Sequence, residues 1–287
     1  MAPSPLAFQE HLPPDVLKQL RPALEAIKSS PKLFHTTYGV VNQKGGAGKT
    51  ATAVTVAAIW ALWGLLIRLI DSDPQMSSAT YWLLQELILE LTLRGMYFGE
   101  CTLDQATVQT SMEGLLLVPS YENLAQVEYA QLPDTNIALR GAIADSAIPA
   151  HMSLIDCRPS LGALTASALV ASDQLIIPLN PSGMDLPGLV ELSKTRAVIK
   201  KRLNPGLSVA ALVLTQDTGQ TTLAGKIREQ LAVDYPDAPR FRIPPSVRIR
   251  EAPLTGEPLP TFAPRSTANG AYALLAADLL IRRVAAA

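Results

Sequence analysis

The chain alternates short, mostly apolar runs with longer segments whose apolar positions recur at helical spacing. The apolar runs fall at Tyr38–Val41, Leu65–Ile70, Leu115–Val118, Met152–Ile155, Ser172–Pro181 and Leu207–Thr215. Runs of this length without a polar face are the pattern of strands buried on both sides of a parallel sheet. Between them Ala51–Leu62, Tyr121–Ala130, Leu186–Lys201 and Thr221–Val233 read as helices, and a terminal helix starts near Thr267. Residues 77–150 read as helices with the single strand at Leu115, and no strand or helix is assigned to Phe241–Pro253. Strands alternating with helices predict an α/β fold, a doubly wound and mainly parallel sheet. Ahead of it, Val16, Leu17, Leu20, Leu24 and Ile27 sit at helical spacing from Asp15 to about Ser29, with Pro22 weakening the middle. That apolar stripe can cover the main core or a partner subunit.

Ala51–Ile70 is almost wholly apolar and about as long as a membrane span. It contains Gly64 and Arg68 and ends on Asp71, so it reads instead as a helix, a turn and a buried strand. With 287 residues, 48% hydrophobic and 17% charged, the composition is that of a globular chain that one large domain can accommodate. Cys101, Cys157 and three scattered histidines form neither a zinc pattern nor a disulfide framework, which suits a reducing cytoplasm. The first residues, Met1-Ala-Pro-Ser-Pro, lack the order of a signal peptide. The net charge of −1 is unevenly spread: residues 186–287 carry 14 Lys/Arg against 8 Asp/Glu. Such a basic third fits either a surface facing a polyanion or ordinary solvated helix faces.

The chemistry centres on Tyr38-Gly-Val-Val-Asn-Gln-Lys44-Gly-Gly-Ala-Gly-Lys49-Thr50. An apolar strand breaks into a glycine-rich loop and then a helix. Glycines let backbone N–H groups approach phosphate oxygens, and the helix directs its positive end at the same place. Lys49 supplies a charge for the β- and γ-phosphates of a nucleotide, and the Thr50 hydroxyl is the usual Mg²⁺ ligand of a P-loop. The standard pattern G-x-x-x-x-G-K-[ST] is not met, because Gln43 stands at its first position. Two further strands end in acids. Leu65–Ile70 runs into Asp71-Ser-Asp73-Pro-Gln75, and Met152–Ile155 into Asp156, where a carboxylate usually holds water on Mg²⁺. A purely structural role for Asp73 is to cap a helix ahead of Ser77 and Ser78.

Lys44-Gly-Gly-Ala-Gly-Lys49-Thr50, D-x-D-P-Q at Asp71–Gln75, Asp156-Cys-Arg158-Pro-Ser-Leu-Gly162 and I-P-x-S-V-R-x-x-E-A-P from Ile243 resemble the ParA/MinD group of deviant Walker A ATPases. The resemblance spans about residues 36–285, leaving residues 1–34 as an extension with the short amphipathic helix and 35–287 as the ATPase domain. It implies that Lys44 reaches the nucleotide of a second subunit and that Asp73, 29 residues on, polarises the attacking water. Residues Gly45, Gly46, Ala47, Gly48, Lys49, Thr50 and Ala51 would bind the phosphates, and Pro244 and Pro245 would border the adenine. Thr50 and Asp156 would serve Mg²⁺. Asn123, Leu124 and Glu128 match a family stretch that is read here as packing. Arg158 replaces a family proline and either contacts phosphate or pairs with an acid, while Gln220 and Pro245 stand where relatives often carry arginine.

The implied function is a slow ATP hydrolase for plasmid or chromosome partition, cytoplasmic and nucleoid-associated. ATP and Mg²⁺ would hold two subunits in a sandwich homodimer that binds DNA without sequence preference, and a ParB-like partner would stimulate hydrolysis. With charge missing at Gln220 and Pro245, the DNA contacts are assigned to Arg248, Arg250, Lys226 and Arg228, with Lys200 and Lys201 beside them. The alternative is that these cations pair with Glu251, Glu229 and Asp217. Two other readings are a MinD-like positioning ATPase, for which Ala276–Ala287 is a weak membrane-binding end so that no stable membrane association is expected, and a regulatory protein that binds ATP with little turnover.

Overall fold

The computed structural model describes residues 12–75, 78–84, 89–130, 132–181, 186–219 and 222–287. Its centre is an eight-stranded sheet in the order β3-β4-β2-β5-β1-β6-β7-β8. The strands are β1 Thr36–Val40, β2 Ile67–Ser72, β3 Val108–Gln109, β4 Leu115–Val118, β5 Met152–Cys157, β6 Gln174–Leu179, β7 Ser208–Thr215 and β8 Arg240–Ile243. Neighbours pair in parallel except β3, which runs antiparallel to β4 at one edge. The strands carry apolar side chains at consecutive positions because each feeds both faces. Leu69, Leu117, Leu154 and Ile176 belong to one core cluster, and their successors Ile70, Val118, Ile155 and Ile177 belong to the other.

The segment with the length of a membrane span is indeed three elements. A buried helix, Lys49–Leu62, ends at Trp63, the chain reverses through Gly64 at φ +82°, and β2 follows. Among the described residues no helix is long and apolar enough to cross a membrane. The Lys49–Leu62 helix is clamped by the terminal helix Thr267–Ala285: Trp60 Nε1 donates to the Ala276 carbonyl at 3.0 Å, and the Thr52 and Tyr272 hydroxyls lie 3.2 Å apart. The N-terminal helix runs unbroken from Pro14 to Ser29 with Leu20, Ala23, Leu24 and Ile27 buried. Its stripe joins the core beside the terminal helix, so the main core is what it covers. Pro22 is tolerated because it lies on the exposed side, where the carbonyl that loses its partner faces water.

Three stretches differ from expectation. The region read as helices with one strand holds a second strand, β3, too short and too polar to register as an apolar run. Tyr121–Ala130 forms a 3₁₀ turn, Glu122–Ala125, and then a single helical turn, Gln126–Tyr129. Phe241–Pro253, to which no element was assigned, contains most of β8 and of a helix at Val247–Thr255. Ser246 caps that helix by accepting from the Arg248 N–H, and Gly256 ends it in the left-handed region, so Pro253 sits only in its last turns.

Candidate functional site

β1 lies between β5 and β6, so the loop that leaves it emerges at the centre of the sheet's carboxyl edge. Asn42, fully buried, fixes that exit. Its Nδ2 donates to the Pro178 carbonyl at 2.6 Å, and its Oδ1 accepts from the Lys44 N–H at 3.1 Å. The loop then turns through Gly46 at φ +74° and Gly48 at φ +91°. A β-carbon on Gly48 would press on Thr215 at 3.0 Å, whereas one on Gly45 or Gly46 would meet nothing within 4 Å. Those two glycines therefore front open space and not packed protein. Thr215, at the end of β7, ties down the loop's far side by donating to the Ala47 carbonyl at 3.0 Å.

Lys49 is buried, and its Nζ donates to the Lys44 carbonyl at 3.1 Å, which folds the loop back over its side chain. Thr50 and Ala51 follow in the first turn of the Lys49–Leu62 helix, half-buried. Lys44 stands half-buried at the loop's start. The register pairs Asp71 with Asp156 across β2 and β5. Asp156 is fully buried, and neither carboxylate oxygen has a hydrogen-bond partner among the described residues. Burial pushes its pKa well above the usual carboxylate range, Asp71 and Asp73 add to that, and the neighbouring Thr50 hydroxyl and Lys49 oppose it. Burial also pushes Asp71 up to about 6. A buried acid with both oxygens orphaned, crowded by two further carboxylates, calls for a cation, and the hydroxyl-plus-carboxylate donor set of Thr50 and Asp156 fits Mg²⁺.

Asp73 is nearly buried. Its Oδ1 accepts from the Gln75 N–H, and its own carbonyl accepts from Ser120 Oγ at 2.9 Å. Burial raises its pKa, while the Gln75 bond, Lys49 and Arg158 pull it down. Helix capping falls to Asp71, whose Oδ2 accepts from the Thr80 N–H at 2.7 Å at the start of the Ala79–Leu84 helix. Residue 77 lies outside the described residues. Arg158 pairs with an acid: its Nη1 meets Glu128 Oε1 at 3.1 Å. Glu128 also accepts from the Ala163 and Leu164 N–H groups at the start of the Ala163–Ala171 helix, so it organises this corner where packing alone was expected.

Pro244 and Pro245 follow β8 at the same edge of the sheet, one strand outward from Thr215. Of the proposed DNA contacts, Arg228 binds the buried Asp217 at 2.8 Å, together with Arg242 at 2.9 Å. Arg248 pairs with Glu251 at 2.9 Å on the surface. Lys226, Arg250, Lys200 and Lys201 are exposed, and Gln220 lies outside the described residues. Because Val247–Thr255 is helical, Arg248 and Arg250 point to different sides. Sequence reasoning missed Asn42, Asp71 and Glu128 as organisers. Their position next to motif residues was visible, but their partners lie far along the chain.

A family model described as an AAA domain matches residues 35–209. The chromosome partitioning protein ParA of Caulobacter vibrioides is 32% identical over 250 residues, covering 85% of this chain and 93% of that protein. The sporulation initiation inhibitor protein Soj of Bacillus subtilis is 31% identical, covering 84% of this chain and 96% of its own. Among solved structures, cobyrinic acid a,c-diamide synthase from Mycobacterium smegmatis with bound ADP and magnesium superposes with a TM-score of 0.68 at 26% identity, over 77% of this chain and 91% of that one.

Proposed function

The chain belongs to the ParA/Soj family of chromosome-partitioning ATPases, and on that premise we propose that it is a DNA-segregation ATPase working as an ATP-bridged dimer. The observation that carries the nucleotide is the open space in front of Gly45 and Gly46, flanked by the buried Lys49 and the orphaned carboxylate of Asp156. The loop N–H groups and Lys49 hold the phosphates, and Thr50 and Asp156 hold Mg²⁺, which when bound neutralises charge developing on the phosphate oxygens. The structural relative crystallised with ADP and magnesium supports that pairing. Pro244 and Pro245 border the base.

Asp73 orients the attacking water. Its carboxylate is held by the Gln75 N–H and lies within the field of Lys49 and Arg158. Lys44, at the entrance of the loop, completes the site of the second subunit. The dimer then presents Lys226, Arg248 and Arg250 to DNA phosphates, and a ParB-like partner stimulates hydrolysis. The test is ATP turnover with and without DNA and partner, run beside Asp73→Ala. The expected result is slow turnover that DNA and partner raise together, and an Asp73→Ala protein that stays an ATP-bound dimer. Undiminished turnover in Asp73→Ala would leave that residue a structural turn.

A further inference from the structure

At the opposite, amino-terminal edge of the sheet the structure opens a cavity of about 570 Å³. It sits under the starts of β1, β2 and β6, far from the carboxyl edge where the phosphate loop emerges. Its size is that of a small-molecule site. Lys32, Arg68 and Arg140 give its wall three permanent positive charges, against Asp173, whose Oδ2 is already taken by the Thr37 N–H at 2.8 Å, and Asp104, which pairs with Arg68. Ile143, Ile148, Pro149 and Val170 supply an apolar side.

Arg68 is the telling residue. It occupies the second position of a central strand, is 1% exposed, and so places a guanidinium where an aliphatic side chain would ordinarily pack. Asp104 and Ser146 engage its Nη2, with Asp104 Oδ1 at 3.3 Å and the Ser146 hydroxyl bonded to the same carboxylate. Its Nε is buried and has no hydrogen-bond partner among the described residues. A buried charged donor left unmade is costly, and a strand that only needed filling would gain nothing from carrying one. Arg140 is steadied by the Leu203 carbonyl at 3.0 Å, so a second guanidinium is held over the same space.

We propose that this cavity binds a small organic anion, with a carboxylate or phosphate head taken by the cationic wall and an apolar body lying along Ile148, Pro149 and Val170. Lys32 and Arg140, exposed at the rim, meet the head directly, and Arg68, 1% exposed and bonded to Asp104 and Ser146, adds its charge from behind the wall.

Isothermal titration tests this on the full chain, with ADP and Mg²⁺ in excess so that the phosphate loop is filled. The probes are phenyl phosphate, benzoate and inorganic phosphate. Either aryl anion should bind saturably at one site per chain and more tightly than inorganic phosphate, and the tighter of the two identifies the head group. The Lys32→Ala/Arg140→Ala double variant should weaken that binding by about tenfold or more while ADP affinity stays unchanged. Arg68→Leu should abolish it, but the double variant carries the test because both of its sites are at the cavity rim and do not fill the core. Lys226→Ala, on a distant helix, should leave the affinity alone. Absence of saturable binding by both aryl anions, or equal affinity in the double variant, overturns the proposal.

Discussion

Asp73 shows how a single carboxylate can be held between two opposing influences. Burial favours its neutral form, and Lys49 and Arg158 favour the charged one. Arg158 can exert that influence only because Glu128 anchors its guanidinium while also capping a helix. If the working form is the carboxylate, turnover rises with pH through the Asp73 pKa. Removing Arg158 leaves burial less opposed, so in Arg158→Met the acidic limb of the turnover–pH profile should move to higher pH with ADP affinity little changed. A limb that does not move would assign Arg158 to the Glu128 corner alone. The two loop lysines should separate just as cleanly. Lys49→Ala removes a buried cation from the phosphates and should weaken ATP binding by about ten- to a hundredfold, equivalent to about 1.5–3 kcal/mol. Lys44→Ala should bind ATP nearly as well and fail to dimerise with it, as nucleotide titration and light scattering would report.

At the scale of elements, the pairing of β2 with β5 sets two acids side by side at their carboxyl ends. Both are driven toward the neutral form, Asp71 to about 6 and Asp156 well above its usual range, and burial is the main cause. A raised carboxyl pKa means that the folded chain binds more protons than the unfolded one. The stability this gives is complete below the unfolded carboxyl value near 4 and fades as pH rises through the folded value. The nucleotide-free protein should therefore lose thermal stability between about pH 4 and pH 7 from these groups, and Mg²⁺–ADP should raise its Tm more at pH 8 than at pH 5. An equal rise at both pH values would remove the strained carboxylates from the metal site. These strands were legible in the sequence because a strand buried on both faces is mostly apolar, Arg68 and Ser153 being the exceptions here, and the acids closing them stood out. β8 was not. Of its four residues, Arg-Phe-Arg-Ile, only Ile243 is buried, because an edge strand packs on one side. The helix after it was hidden by Pro253, which is harmless so near a C-terminus. Glu128 and Asp71 looked like packing and motif spacing because hydrogen bonds to backbone N–H groups leave no residue pattern.

For the molecule as a whole, the charge imbalance along the sequence overstates the free basic surface. Two of the cations in the basic third are spent on Asp217, a buried acid that Arg228 and Arg242 share. Arg228→Ala should chiefly cost stability, since it leaves Asp217 less compensated. Lys226, Arg248 and Arg250, all exposed, are the ones expected to touch phosphates, Arg248 after giving up its surface pair with Glu251. With ATP and Mg²⁺ present, Lys226→Ala and Arg250→Ala should each lower the slope of log affinity for DNA against log salt by roughly one unit. Unchanged slopes in both would move the DNA surface elsewhere.

The position of β1 has a consequence for how the chain is made. It enters the sheet as residues Thr36–Val40, yet its two hydrogen-bonded neighbours are β5 at Met152–Cys157 and β6 at Gln174–Leu179. The first strand of the sheet therefore waits, unpaired, until more than half of the polypeptide has left the ribosome. The glycine loop cannot take its shape before then, since Asn42 is anchored on the Pro178 carbonyl. Pairings so distant in sequence fold slowly and leave an apolar strand exposed in the meantime. During synthesis, nucleotide can therefore reward the chain only once β6 has been made, and until then Tyr38 and Val40 lack the neighbours that bury them.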